Sequence, residues 1–355
     1  MVNKSFHPGI YIKMNLEVQA MSSKEMSLRT GISEKVLSEI INGKCNLTFE
    51  TAYKIAKFYG TSVELRMNLQ TAYDIYIKEE KEKEEKKQEL KYIQNLKSFL
   101  VQNNFVYSTA EDIDMLEKSK QLAGVNYLES LKEKNILALF RKGKETDEGS
   151  IFLQNFWVAM SLTEARKKMN NEFDFDKFVR SLDRLREITK YEQDVFYPEL
   201  CKILDDAGVI FVYLPYLEGS NIYGVTKWLN STHVMIAMAN ESGLAYDFWL
   251  TLFHEFAHII NRKKRVSLYY SKEEQEAEAE CFGRDILMPY DSWCDFIERG
   301  DFSAKAINEF ASKLSILPDI IYGRLKKEKP KLVNAKELDK VYNKTYSIKV
   351  EIIQK

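Results

Sequence analysis

The stretch Phe248-Trp249-Leu250-Thr251-Leu252-Phe253-His254-Glu255-Phe256-Ala257-His258-Ile259-Ile260 places two of the chain's four histidines one helical turn apart, with a glutamate directly after the first. Residues four apart lie on one helix face, so both imidazoles can reach a single ion while Glu255 projects beside it. The flanks are heavily apolar and contain neither Gly nor Pro, the pattern of a buried helix. Unpaired polar groups are costly in such a setting, which weighs against chance histidines on a solvated helix. The spacing therefore predicts a catalytic zinc site with His254 and His258 as ligands. Glu255 is then the general base for attack of water on a peptide carbonyl.

A catalytic zinc needs a third protein ligand and an open position. Downstream, Ser271-Lys272-Glu273-Glu274-Gln275-Glu276-Ala277-Glu278-Ala279-Glu280-Cys281-Phe282 begins with a capping-box pattern and continues helically to Leu287-Met288-Pro289. At about 100° per residue, Ala279, Phe282 and Ile286 share one face; Glu278 falls roughly 70° from its centre and Glu276 about 90°. Glu278 is the candidate ligand, with Glu276 close behind. The rest of the acidic run reads as a solvated face. One zinc per chain is expected, because only this cluster has ligand spacing. His233, Tyr269 and Tyr270 are options for stabilising the developing oxyanion, although each reads more readily as structural.

The stretch from about Phe175 to Tyr346 resembles the ImmA/IrrE-type metallopeptidases, zinc-dependent bacterial proteins often coupled to transcriptional repressors. The motifs that carry the resemblance are Gly208-Val209-Ile210-Phe211-Val212-Tyr213-Leu214-Pro215, Gly224-Val225-Thr226-Lys227-Trp228-Leu229, Phe248 to Glu255, and Glu278-Ala279-Glu280-Cys281-Phe282-Gly283 running into Leu287-Met288-Pro289. The resemblance maps the family's ligand glutamate onto Glu278. Glu280 stands where the family has Asn or Asp, and Gly283 where it has Ala, so support of that ligand differs here. It also implies a zincin-like fold in which an edge strand pairs with an extended substrate backbone.

Near the N-terminus, Met21 to Lys44 reads as two short helices joined through Gly31, the spacing of a helix-turn-helix. Ser22 or Ser23 caps the first helix and Ser33 the second, whose Val36, Leu37, Ile40 and Ile41 point inward. Glu34, Lys35, Ser38 and Glu39 are left outward, where the second helix of such a motif meets base edges. The candidate DNA-contacting set is Ser23, Ser33, Glu34, Lys35, Ser38, Lys44 and Asn46. Residues 1–76 carry nine Lys/Arg against seven Asp/Glu, a net of +2, which is a weak footprint for DNA and leaves a protein-interaction bundle as the alternative. The span from His7-Pro8-Gly9 to Ala72-Tyr73-Asp74 resembles the HigA-type antitoxin branch of the Xre-like helix-turn-helix family. That resemblance implies operator binding, commonly as a homodimer.

The whole chain of 355 residues has a formal net charge of −1, so no global field points to a membrane or to nucleic acid. No apolar leader or spanning stretch is evident, and a cytoplasmic location is expected. The four cysteines form no CxxC pair, which argues against a zinc ribbon or a disulfide framework. Lys78 to Lys87 consists wholly of Lys and Glu and reads as an exposed, semi-rigid helix. Beyond it, polar turns such as Lys142 to Ser150 separate helices, and Phe152, Phe156, Trp157 and Met160 are core positions. Val209 to Leu214, Tyr223 to Leu229 and Val234 to Met238 predict three short strands.

The reading is an α+β, mostly α chain. It comprises a helix-turn-helix bundle over residues 1–76, a charged linker helix over 77–98, a helical middle region over 99–199, and a zincin-like peptidase domain with a small three-stranded sheet over 200–355. The expected activity is that of a DNA-binding zinc endopeptidase that cleaves a partner repressor or antitoxin. The competing reading is a HigA-like repressor whose peptidase fold serves as sensor or scaffold.

Overall fold

Serine and threonine side chains start the N-terminal helices, because a hydroxyl can satisfy an amide that the first helical turn leaves unpaired. Ser22 accepts from Glu25 N at 3.1 Å, Ser33 from Val36 N at 3.3 Å and Thr48 from Thr51 N at 3.3 Å. These caps set α2 (Ser23–Thr30), α3 (Glu34–Ile41) and α4 (Phe49–Tyr59), preceded by α1 (Pro8–Val18) and followed by α5 (Val63–Gln102). Ser22, not Ser23, is the cap of α2. Gly31 ends α2 in left-handed backbone and turns the chain into α3. Ile12, Leu16, Met26, Leu37, Ile40, Ala52 and Ile55 meet in one small core.

The structure, a computed structural model, describes residues 5–132, 148–239, 241–264 and 272–348; side chains at 148, 262–264 and 272–279 are not among those described. Tyr269, Tyr270 and Ser271 lie outside the described residues, and so do the side chains of Glu276 and Glu278. The chain divides into two compact units, Met1–Lys91 and Tyr92–Lys355. The division falls inside α5, and the charged Lys78 to Lys87 run is part of that one 40-residue helix.

In the second unit, α6 (Asp112–Ala123), α7 (Glu148–Lys167), α8 (Phe175–Glu187) and α9 (Gln193–Asp206) precede β1 (Val209–Tyr213), β2 (Gly224–Trp228) and β3 (Val234–Met238). The sheet order is β1-β3-β2, with β1 parallel and β2 antiparallel to β3, so β2 is an edge strand. Then come α10 (Ala245–Lys264), α11 (Lys272–Leu287), α12 (Tyr290–Arg299), α13 (Ala304–Leu314), α14 (Pro318–Glu328) and a short α15 (Ala335–Leu338). One expectation is corrected in part: residues 142–147 of the Lys142 to Ser150 run lie outside the described residues, and Glu148, Gly149 and Ser150 form the first turn of α7. An acidic residue at a helix N-terminus is favoured by the helix dipole. Pro289 is the N-cap residue of α12, its fixed φ suiting a helix entry.

The core is built around α10. Phe248, Trp249, Leu252, Phe253, Phe256 and Ile259 are fully buried against Phe178, Phe196, Val234 and Ile236. Burying a side chain of this size stabilises by roughly 1.5–3 kcal/mol, so this helix is held firmly. The C-terminal segment adds a clasp: Ala245 N donates to Lys344 O at 2.8 Å, Tyr346 N to Gly243 O at 2.8 Å, and Trp249 Nε1 to the Tyr346 hydroxyl at 2.9 Å. Among the described residues, no helix is long and apolar enough to cross a membrane.

Candidate metal centre and nucleic-acid interface

Because α10 buries its aromatic face so fully, the remaining face is fixed in direction. His254 and His258, both half-buried, stand on that face with their Nε2 atoms 3.1 Å apart and their rings perpendicular. Glu255 is only 4% exposed, and one ligand atom from each of the three residues lies within 4.8 Å of the others. Two imidazole nitrogens turned to one place could serve as two ligands of a zinc ion, with the carboxylate beside them free to act on a bound water. Among the described residues, this is the group of three metal-binding side chains that the fold brings together.

Residues of β2 and α11 shape the cluster; Gly224 and Thr226 stand in the sequence only as parts of a motif, with no contact to Glu255 implied. Strand side chains alternate between faces, so Gly224 and Thr226 of β2 both turn toward α10. The Thr226 hydroxyl lies 2.7 Å from Glu255 Oε2 and 3.1 Å from the Glu255 backbone oxygen. A Cβ at Gly224 would overlap the Glu255 carboxylate. From the other side, α11 approaches α10 at Gly283, where a Cβ would stand 2.6 Å from the Phe253 carbonyl oxygen and 2.9 Å from His254 N. Only glycine permits that approach without moving a backbone. Gly283 thus lets α11 lie close against the backbone of α10 at His254.

The other candidates fall as follows. Glu280 pairs with Arg284, which also meets Glu328 at 3.0 Å, so its carboxylate belongs to a surface ion-pair network. His233 sits in the β2–β3 turn, with Nδ1 3.1 Å from Asn230 Oδ1 and 3.0 Å from Thr232 Oγ1, which accounts for it structurally. Asn261 lies one turn beyond His258 on the same face; it is 7% exposed, and among the described residues its side-chain nitrogen meets no hydrogen-bond partner. At the end of β1, burial pushes the Tyr213 hydroxyl up to about 12. On β2, burial and then the charge of Arg166 lower the Lys227 ammonium.

In the N-terminal unit, the outward face of α3 is as the period implies. Glu34, Lys35 and Ser38 are exposed, as are Ser33, Lys44 and Asn46, whereas Ser23 and Glu39 are half-buried. The cations here are partly answered from within: Lys35 stands 4.0 Å from Glu39, and Arg29 pairs with Glu25 at 2.6 Å. His7 has a structural task. Its Nδ1 accepts from Gly9 N at 3.0 Å, capping α1, and its ring packs edge-on against Tyr73 at 4.9 Å.

Comparison with known proteins places the similarity in this unit. Residues 13–65 match the helix-turn-helix family model. Virulence-associated protein A' of Dichelobacter nodosus is 34% identical over 70 residues, covering 19% of this chain and 61% of that protein. Virulence-associated protein I of the same organism is 26% identical over 77 residues, covering 21% of this chain and 71% of that protein. The chain thus spans less than two thirds of the first relative. A solved structure, an addiction module antidote protein of a HigA family from Coxiella burnetii, is 32% identical, with a TM-score of 0.23, and covers 24% of this chain and 95% of that one. The matched residues run from α1 through the start of α5, and this N-terminal segment is a helix-turn-helix domain.

Proposed function

We propose that the chain is a DNA-binding regulator whose C-terminal unit is a zinc-dependent endopeptidase with a zincin-like site. The observation that carries the enzymatic half is the juxtaposition on α10 of two imidazole Nε2 atoms 3.1 Å apart with the buried Glu255 carboxylate. His254 and His258 would hold the metal, and the third ligand comes from α11, with Glu278 ahead of Glu276. A zinc ion held there would supply Lewis-acid polarisation of the scissile carbonyl and acidify the attacking water. Glu255 accepts the proton of that water as its oxygen adds to the carbonyl carbon. It returns the proton to the amine nitrogen as the C–N bond breaks. The rigid, buried setting of α10 keeps these groups in register, which is where much of the rate of such a reaction arises.

The helix-turn-helix domain supports an operator-binding role, with α3 entering the major groove and Glu34, Lys35 and Ser38 nearest the base edges. Ser33, Lys44 and Asn46 are placed to meet phosphates. A regulator that binds an operator and carries a peptidase would act on a second DNA-binding protein, a repressor or antitoxin. The resemblance of the span from His7 to Asp74 to the HigA-type antitoxins supports a second reading. In that reading the chain is itself an antitoxin-like repressor, and its C-terminal unit senses or supports without turnover.

Metal analysis separates the two. The peptidase reading expects about one zinc per chain in the wild type, near-complete loss in His254→Ala, and loss in Glu278→Ala or, failing that, Glu276→Ala. Undiminished zinc in His254→Ala would remove the metal centre from α10 and leave the antitoxin-like reading.

A further inference from the structure

The Glu255 carboxylate is nearly sealed from solvent, and the residues that touch it come from β2, 29 and 31 positions earlier in the chain. The Thr226 hydroxyl has one proton and two acceptors within reach, Glu255 Oε2 at 2.7 Å and the Glu255 carbonyl at 3.1 Å. A hydroxyl donating to a carboxylate is the shorter and stronger of these options, so the proton goes to Oε2. Gly224, two residues away on the same strand face, leaves the space that the other carboxylate oxygen occupies. The two β2 residues thus act together on one side chain: one binds an oxygen, and the other makes room for its neighbour.

We infer that Thr226 is a positioning residue for Glu255, holding Oε2 so that proton transfer falls to Oε1 alone, with Gly224 as the clearance this geometry requires. The inference rests on the peptidase reading for its chemical consequence, but the hold on the carboxylate stands apart from it. Glutamate has three side-chain torsions, and without an anchor its carboxylate would sample several rotamers. A displacement of about 1 Å in a reacting group can cost roughly 10²-fold in rate. The same strand carries the unpaired sheet edge, so whatever moves β2 also moves the base.

The test uses the full chain loaded with zinc, in the variants Thr226→Val, which keeps the shape and removes the donor, and Thr226→Ser, which keeps the donor. Crystal structures are expected to show the Glu255 carboxylate displaced by about 1 Å or more, or split between rotamers, in Thr226→Val and unmoved in Thr226→Ser. With fluorescein-labelled casein as probe, kcat is expected to fall about 10-fold or more in Thr226→Val with KM within about 2-fold, and to recover in Thr226→Ser. Zinc content should be unchanged in both. A Glu255 carboxylate that keeps its place in Thr226→Val overturns the inference. So does a kcat equal to wild type in that variant. If the wild type cleaves no casein, the peptidase reading is what suffers, and the crystallographic arm still decides the role of Thr226. Should Thr226→Val fail to fold, Thr226→Ala provides the same comparison.

Discussion

The helix-turn-helix domain and the α10 site stand in contrast. On α3 the side chains proposed to act, Glu34, Lys35 and Ser38, are exposed, and the inward Leu37 and Ile40 only hold the helix in place. On α10 the relation is reversed: Glu255 is buried, the histidines are half-buried, and neighbours on β2 and α11 press against the same turn. A surface of the first kind tolerates substitution and is tuned by charge. A site of the second kind depends on contacts made far along the chain, so its function and its packing cannot be varied separately.

This difference decides what the sequence reveals. The His254-Glu255-x-x-His258 spacing and the Ser33 cap are local patterns, legible because helical period and capping chemistry act within four residues. The three strands and the buried aromatic face of α10 follow from the same short-range logic. Thr226 and Gly283 are different: they stand inside recognisable motifs, yet nothing in those motifs says that one touches Glu255 and the other His254. The Trp249–Tyr346 hydrogen bond joins residues 97 positions apart, and its pairing has no local signature. At the end of the Lys142 to Ser150 run, Gly149 and Ser150 read as turn residues, yet they lie in the first turn of α7, where the packed helix that follows outweighs their local preference.

The contrast can be broken first through alkali. Burial pushes Tyr213 up to about 12, so the unfolded chain ionises this hydroxyl near pH ~10 while the folded chain keeps it neutral. Its contribution is present in full below about pH 10 and is lost as pH rises through about 12. Tyr213→Phe should therefore lose less stability than wild type between those values, by roughly 2 kcal/mol, in urea unfolding of the sheet-bearing unit. Parallel loss in the two proteins would contradict the upward shift of the Tyr213 hydroxyl.

The next effect lies at the helix contact. Gly283→Ala should lower zinc affinity about 10-fold, the scale seen when support around a ligand is disturbed, as measured by competition with a chromophoric chelator. Affinity equal to wild type would mean that α11 can withdraw without disturbing His254. The smallest effect belongs to the exposed helix. Lys35→Ala should change stability by less than about 0.5 kcal/mol and reduce the salt dependence of DNA binding by a slope of about 1 or less, since Glu39 already answers part of its charge. It should alter sequence preference more than Lys44→Ala does. Fluorescence anisotropy on the duplex upstream of its own coding region reads both, and absence of binding at low salt would favour a protein partner for this surface.

The most direct measurement compares protein N-termini in cells expressing wild type or Glu255→Gln at equal levels. Both proteins are expected to carry zinc and to occupy the same operator, because Glu255 is assigned as base and not as ligand. The account predicts a new N-terminus within a DNA-binding regulator in the wild-type cells, reduced about 10²-fold or more with Glu255→Gln. Identical N-termini in the two cultures, with regulation unchanged, would contradict hydrolysis as the function of the α10 site.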